Sequence, residues 1–215
     1  MDSLLIAIDG PSGSGKSTTA RLLAARHGLG YLDTGAMYRA ATAGFLAEQI
    51  GDEGLVDYVA GAELLIGCSV EGNRVRINGR DVTEEIREPR ISAMVSRVAT
   101  NLEVRRLLTQ RMRQIIDAHG RRIVVEGRDI TTVVAPDADV RVLLVADPDA
   151  RVARREAELA GRAGRADVVD QVLRRDRDDS TVSNFTEAAE GVTVIDSTFI
   201  PPDEVVARIE ELIDV

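Results

Sequence analysis

The chain has no tryptophan, one cysteine and one lysine, and aromatic residues make up only 3% of its 215 positions. Each scarcity excludes something. A single thiol, Cys68, rules out a disulfide within the chain and argues against a cysteine-built zinc site. No apolar run approaches the ~18 residues that a membrane-spanning helix requires. The N-terminus has neither a basic segment nor a cleavable apolar one, so the expected location is the cytoplasm and no membrane partner is expected. Cations are outnumbered, 27 against 36 acidic residues, for a net charge of −9, which excludes a protein that grips nucleic acid through overall charge. Hydrophobic residues still reach 44%, enough for a proper core, and the length fits one domain or one domain carrying an insertion.

The lysine count is informative. Of the 27 basic residues, all but Lys16 are arginine, and Lys16 lies in a glycine-rich loop. Lysine is a compact, flexible point charge and arginine a wide planar fork, so a chain that otherwise uses arginine has kept lysine where a small head group is needed.

That loop, Gly10-Pro11-Ser12-Gly13-Ser14-Gly15-Lys16-Ser17, fits G-x4-G-K-[ST] in full. An apolar run, 4–8, precedes it and reads as a buried parallel strand; 16–27 reads as a helix with Gly28 just past its end. Glycine lets such a loop curl so that backbone N–H groups surround phosphates, and the helix N-terminus adds its dipole. Residues 10–18, Thr18 included, are therefore the expected cradle of a nucleoside triphosphate, with Lys16 reaching the β- and γ-phosphates and the Ser17 hydroxyl offered to Mg²⁺. A dinucleotide fingerprint fails, because position 18 is threonine.

Further along, a helix is expected over roughly 35–50, strands at 123–126, 140–145 and 192–195, and helices after Asp147-Pro148-Asp149 and over about 202–213. Alternation of strand and helix implies a doubly wound α/β sheet. The stretch 63–87 reads differently, as a small antiparallel meander with turns at Glu71-Gly72-Asn73 and Asn78-Gly79, and helical stretches follow to about 118. An insertion of 35–118 thus interrupts a core formed by 1–34 and 119–215.

Two segments are candidates for holding an acceptor. In 32–39, LDTGAMYR, Asp33 and Thr34 precede a helix and Arg39 lies one turn in, either aimed at an anion or exposed on a capped helix. In Glu126-Gly127-Arg128-Asp129, at a strand's carboxyl end, Glu126 suits the metal or its waters. Arg128 suits a bridge between two phosphates, the alternative being a local pair with Asp129. His27 and His119 read as helix-surface residues and Cys68 as a small apolar one. An arginine-rich stretch at 151–178, around Gly161 and Gly164, reads as a mobile lid or a plain charged loop.

GPSGSGKST at 10–18, LDTGAMYR at 32–39, GRDVTEEIR at 79–87, VEGRDITTVVAPDADVRVLL at 125–144 and RDRDDST at 175–181 together resemble the bacterial cytidylate kinase family over nearly the whole chain. The resemblance implies a P-loop NTPase fold, a three-layer doubly wound parallel sheet. Its insertion would bind the nucleoside monophosphate and 151–167 would form the lid. It implies transfer of the γ-phosphoryl group of ATP to CMP or dCMP by a monomer, with Mg²⁺ as cofactor. Thr34, Arg39 and Arg128 would hold the acceptor, Ser96, Arg105 and Asp129 would read cytosine, and Arg175 and Asp179 would meet the ribose. Lys16, Arg128 and, among the lid arginines, Arg154 would neutralise charge on the transferring group. The family pattern has an arginine where this chain has Val182, and Arg177 is the nearby candidate to replace it. Two rivals are a kinase for another acceptor, such as a different nucleoside monophosphate or shikimate, and a nucleotide-sensing switch. A GTPase base motif of the N/T-K-x-D type needs a second lysine and cannot exist here.

Overall fold

A computed structural model describes residues 3–159, 169, 174 and 176–213. In chain order the elements are β1 (Leu4–Asp9), α1 (Lys16–His27), β2 (Gly30–Asp33), α2 (Thr34–Ala47), α3 (Leu55–Gly61), β3 (Leu64–Ile66), β4 (Val75–Ile77) and β5 (Arg80–Asp81). There follow α4 (Pro89–Ala99), α5 (Leu102–Ala118), β6 (Arg122–Gly127), β7 (Val140–Val145), α6 (Pro148–Leu159), β8 (Thr193–Asp196) and α7 (Pro202–Ile213).

Five strands form a parallel sheet in the order β2-β6-β1-β7-β8, and β3-β4-β5 form a separate antiparallel sheet. The α/β fold with its small meander is thus as the sequence implies. Strand β1 shows why the main sheet is buried on both sides. Leu5 and Ala7 enter one apolar cluster with Leu32, Val125, Met37, Leu108 and Met112, while Ile6 and Ile8 enter another with Leu23, Leu144 and Val206. Helices α2 to α5 therefore cover one face and α1 and α7 the other. In the meander, Val75 and Ile77 are buried and Arg76 is exposed, the period of two read from the sequence.

The sequence reading missed β2, a strand of four residues that merges directly into α2, and the short helix α3. Helix α2 starts at Thr34, with Asp33 as its cap, and ends at Ala47 rather than near 50. The stretch 88–118 is two helices, parted by Asn101, whose side chain accepts from the N–H groups of Glu103 and Val104. His27 faces Glu210 at 3.0 Å, and His119 ends α5 with its ring on the carbonyl of Ile115. Cys68 is half-buried, and burial pushes its thiol up to about 11. Of the arginine-rich lid expected at 151–167, only 151–159 falls within the described residues, and Arg175 lies outside them.

Candidate functional site

The chain reverses direction across the sheet at β1, which lies between β6 and β7. In a parallel sheet of this kind the crevice for ligands opens at the carboxyl ends of the strands beside such a switch point. Here those ends carry the glycine-rich loop, LDTGAMYR and Glu126-Gly127-Arg128-Asp129. Asp9 is in register with Gly127, and Asp33 with Glu126, so the loop after β1, the start of α2 and the turn after β6 meet at one edge.

Loop 10–15 leads straight into α1. Gly13 and Gly15 adopt the left-handed region, and a Cβ on Gly13 would lie 2.6 Å from the carbonyl oxygen of Arg151. A Cβ on Gly10 would run into the Leu144 carbonyl oxygen. Gly10→Ala is therefore expected to destabilise the fold by about 2–4 kcal/mol, read as a lowered melting temperature, because backbone on both sides would have to shift. Lys16 donates to the Pro11 carbonyl at 2.7 Å, so its ammonium folds back over the cradle. Burial lowers its pKa to about 8, against the opposing pull of Glu126. Ser14 is fully buried, and its Oγ has no partner among the described residues. The loop is braced from β8, where Ser197 Oγ donates to the Ser14 carbonyl at 2.8 Å. Arg154 is anchored there too, donating to the Ser197 carbonyl at 2.5 Å, and it flanks Gly15.

Glu126 stands under the cradle. Its Oε1 accepts from Ser17 Oγ at 2.5 Å and from the Tyr31 hydroxyl at 3.0 Å. Burial raises its pKa, and the charge of Asp33 adds to the rise while Lys16 opposes it. Asp33 is held low despite its own burial, by Arg39 at 2.7 Å and the Ala36 N–H at 2.9 Å. A serine hydroxyl and two close carboxylates form an all-oxygen donor set of the kind Mg²⁺ prefers, and a cation there would relieve the repulsion that Glu126 feels.

At the start of α2, Thr34 Oγ1 donates to the Glu126 carbonyl at 2.8 Å. Arg128 and Asp129 do not form the local pair that the sequence left open. Arg128 turns to Asp176 and Asp179, at 2.9 and 3.0 Å, with its guanidinium over the Phe185 ring. Asp129 instead pairs with Arg105 at 2.5 Å, and Arg105 also reaches the Ala99 carbonyl and lies over the Tyr38 ring. Three buried atoms of this region lack a hydrogen-bond partner among the described residues: Ser96 Oγ, Tyr38 Oη and Asp179 Oδ1. Buried polar groups are ordinarily satisfied, so orphans beside a paired Arg105–Asp129 fit a polar ligand that would complete them. Arg177, the candidate substitute for the family arginine at 182, is exposed.

Sequence reasoning missed two residues that organise the site. Asp9 is buried at the end of β1 and accepts from the N–H groups of Ile130 and Thr131, both at 2.8 Å, and from Thr131 Oγ1 at 2.6 Å. Burial raises its pKa, and the Thr131 and Ile130 donors oppose the rise. Asp176 accepts from the Ser12 N–H at 3.2 Å and pairs with Arg128 and Arg151. A signal for Asp176 was available: it is three residues before Asp179 in a helical turn, so both carboxylates share one face.

Residues 6–215 match the family model described as cytidylate kinase. A cytidylate kinase of Cutibacterium acnes is 54% identical over 99% of this chain and 96% of its own length. One of Carboxydothermus hydrogenoformans is 41% identical over 97% and 96%. Among solved structures, an uncharacterized protein from Eubacterium ventriosum superposes with a TM-score of 0.55 at 15% identity over 99% of both chains, a likeness of fold alone.

Proposed function

The chain belongs to the cytidylate kinase family, and on that premise we propose how its residues move the γ-phosphoryl group of ATP onto CMP or dCMP. The observation that carries the proposal is the position of Asp176. Its carboxylate touches both the cradle, at the Ser12 N–H, and Arg128, so donor loop and acceptor arginine are one small anion apart. An arginine that near the cradle can offset charge on both phosphates of an in-line transfer.

In this reading residues 10–18 wrap the triphosphate, and the Lys16 ammonium spans its β- and γ-groups. Ser17, with Glu126 and Asp33 nearby, would hold Mg²⁺, which neutralises phosphate charge when bound. The segment 35–118 serves as the acceptor-binding region of a core built from 1–34 and 119–215. Arg39 and Arg128 take the acceptor's phosphate, and Thr34 fixes the start of α2 beneath it. Ser96, Arg105 and Asp129 meet the cytosine edge, where an amino donor and ring acceptors find a carboxylate, a guanidinium and a hydroxyl. A wrong base would leave these buried groups unpaired, a costly outcome. Asp179, whose Oδ1 has no hydrogen-bond partner among the described residues, and Arg175 meet the ribose. No general base is needed, because a monophosphate oxygen is already ionised near neutral pH. Its lone pair forms the new P–O bond as the bond to the ADP oxygen breaks, while Lys16, Arg128 and Arg154 offset the charge.

Closure of a lid over 151–167 would exclude water from this transfer. No helix among the described residues is long and apolar enough to cross a membrane. We place the protein in the cytoplasm as a monomer acting on small nucleotides, its net charge of −9 opposing nucleic acid.

The test is an ADP-release assay across CMP, dCMP, UMP, AMP and shikimate. The highest kcat/KM is expected with a cytidine nucleotide; preference for any other acceptor overturns the assignment.

A further inference from the structure

Asp176 lies 164 residues from Ser12 in the chain, yet its Oδ1 takes the Ser12 N–H at 3.2 Å and Arg128 Nη2 at 2.9 Å. Its Oδ2 pairs with Arg151 Nη1, which also donates to the Ser12 carbonyl at 3.1 Å. The three side chains are almost covered, at 15% exposure for Asp176, 14% for Arg128 and 9% for Arg151. A planar anion held by one loop N–H and two guanidinium groups is coordinated as a phosphoryl group would be.

We infer that Asp176 is a built-in substitute for the terminal phosphate of ATP, filling its place on Ser12, Arg128 and Arg151 until the triphosphate displaces it. This rests on the reading of 10–18 as the ATP cradle. N–H groups from Gly13 to Ser17 wrap the phosphates nearer α1. The Ser12 N–H, on the limb beside Arg151, is left for the outermost one. A diphosphate does not reach it and leaves Asp176 in place; a triphosphate competes for the same donors. When Asp176 yields, Arg128 exchanges that carboxylate for the terminal phosphate and keeps Asp179 at 3.0 Å and the Phe185 ring, so it stays in place at the junction of donor and acceptor. Arrival of the full donor thereby puts the terminal phosphate, in place of a side chain, on the arginine that faces the acceptor, and ADP does not. Arg151, whose carboxylate partner among the described residues is Asp176, is also spared an unpaired, desolvated charge in the empty protein, which would be costly.

The test compares binding of ADP and of a non-hydrolysable ATP analogue to the wild type and to Asp176→Asn by calorimetry. Asparagine keeps the shape and removes the charge that competes. The variant is expected to bind the analogue about tenfold tighter, the effect of removing one competing charge, with ADP affinity within about twofold of wild type. Asp176→Ser, smaller and also neutral, is expected to shift the ratio the same way, and covers the case in which asparagine fails to fold. Equal changes for both nucleotides, or weaker binding of the analogue, overturn the inference and leave Asp176 as a fastening between Arg128 and Arg151. A wild type that binds neither nucleotide defeats the cradle reading itself, and the inference with it.

Discussion

Lys16→Ala is expected to lower kcat with ATP and CMP by about a thousandfold while the melting temperature stays within a few degrees of wild type. The side chain packs over the Pro11 carbonyl at 2.7 Å rather than into an apolar cluster, so its loss removes charge and little packing. With a pKa of about 8 the group is still mostly protonated at neutral pH, although burial has drawn it down. Lys16→Arg is expected to rescue little. The planar fork of a guanidinium is wider than an ammonium and does not supply the same compact point charge. An ADP-release assay with a parallel thermal melt checks both variants; retention of more than a tenth of the activity by the alanine variant would refute the role.

The second large effect is expected at Asp129. Asp129→Ala should raise KM for CMP on the order of a hundredfold and flatten the preference among acceptor bases, because the buried group proposed to meet the base edge disappears. It should also cost about 3 kcal/mol of stability, since Arg105, its partner at 2.5 Å, would be left nearly buried without a counter-charge. The two effects separate in a double substitution. Arg105→Ala combined with Asp129→Ala is expected to regain part of the melting temperature but none of the CMP affinity. Recovery of CMP affinity in the double variant would mean that the pair holds the fold and does not read the base.

What could be read in advance follows from distance along the chain. β1, the loop 10–15 and α1 are contiguous, and their apolar run, glycines and cap are local signals, so the structure reproduces them nearly residue for residue. β2 escaped because its four residues carry the start of another motif and give no period to detect. The partners of Arg128 escaped for a different reason. Next to it in sequence stands Asp129, the obvious pair, but the turn that follows β6 sends the two side chains to opposite sides. One goes to Arg105 on α5 and the other to Asp176 and Asp179 beyond α6. Charge pairing of that kind is decided by the assembled sheet, and no local pattern encodes it.

The carboxylate of Asp9 immediately precedes the donor loop and grips the backbone of the turn that carries Asp129. The two platforms of the proposed transfer are thereby tied to one buried carboxylate, so that displacement of one would carry the other with it. In the proposed reaction a replacement such as Asp9→Asn would blur the alignment of the two nucleotides without touching either of them.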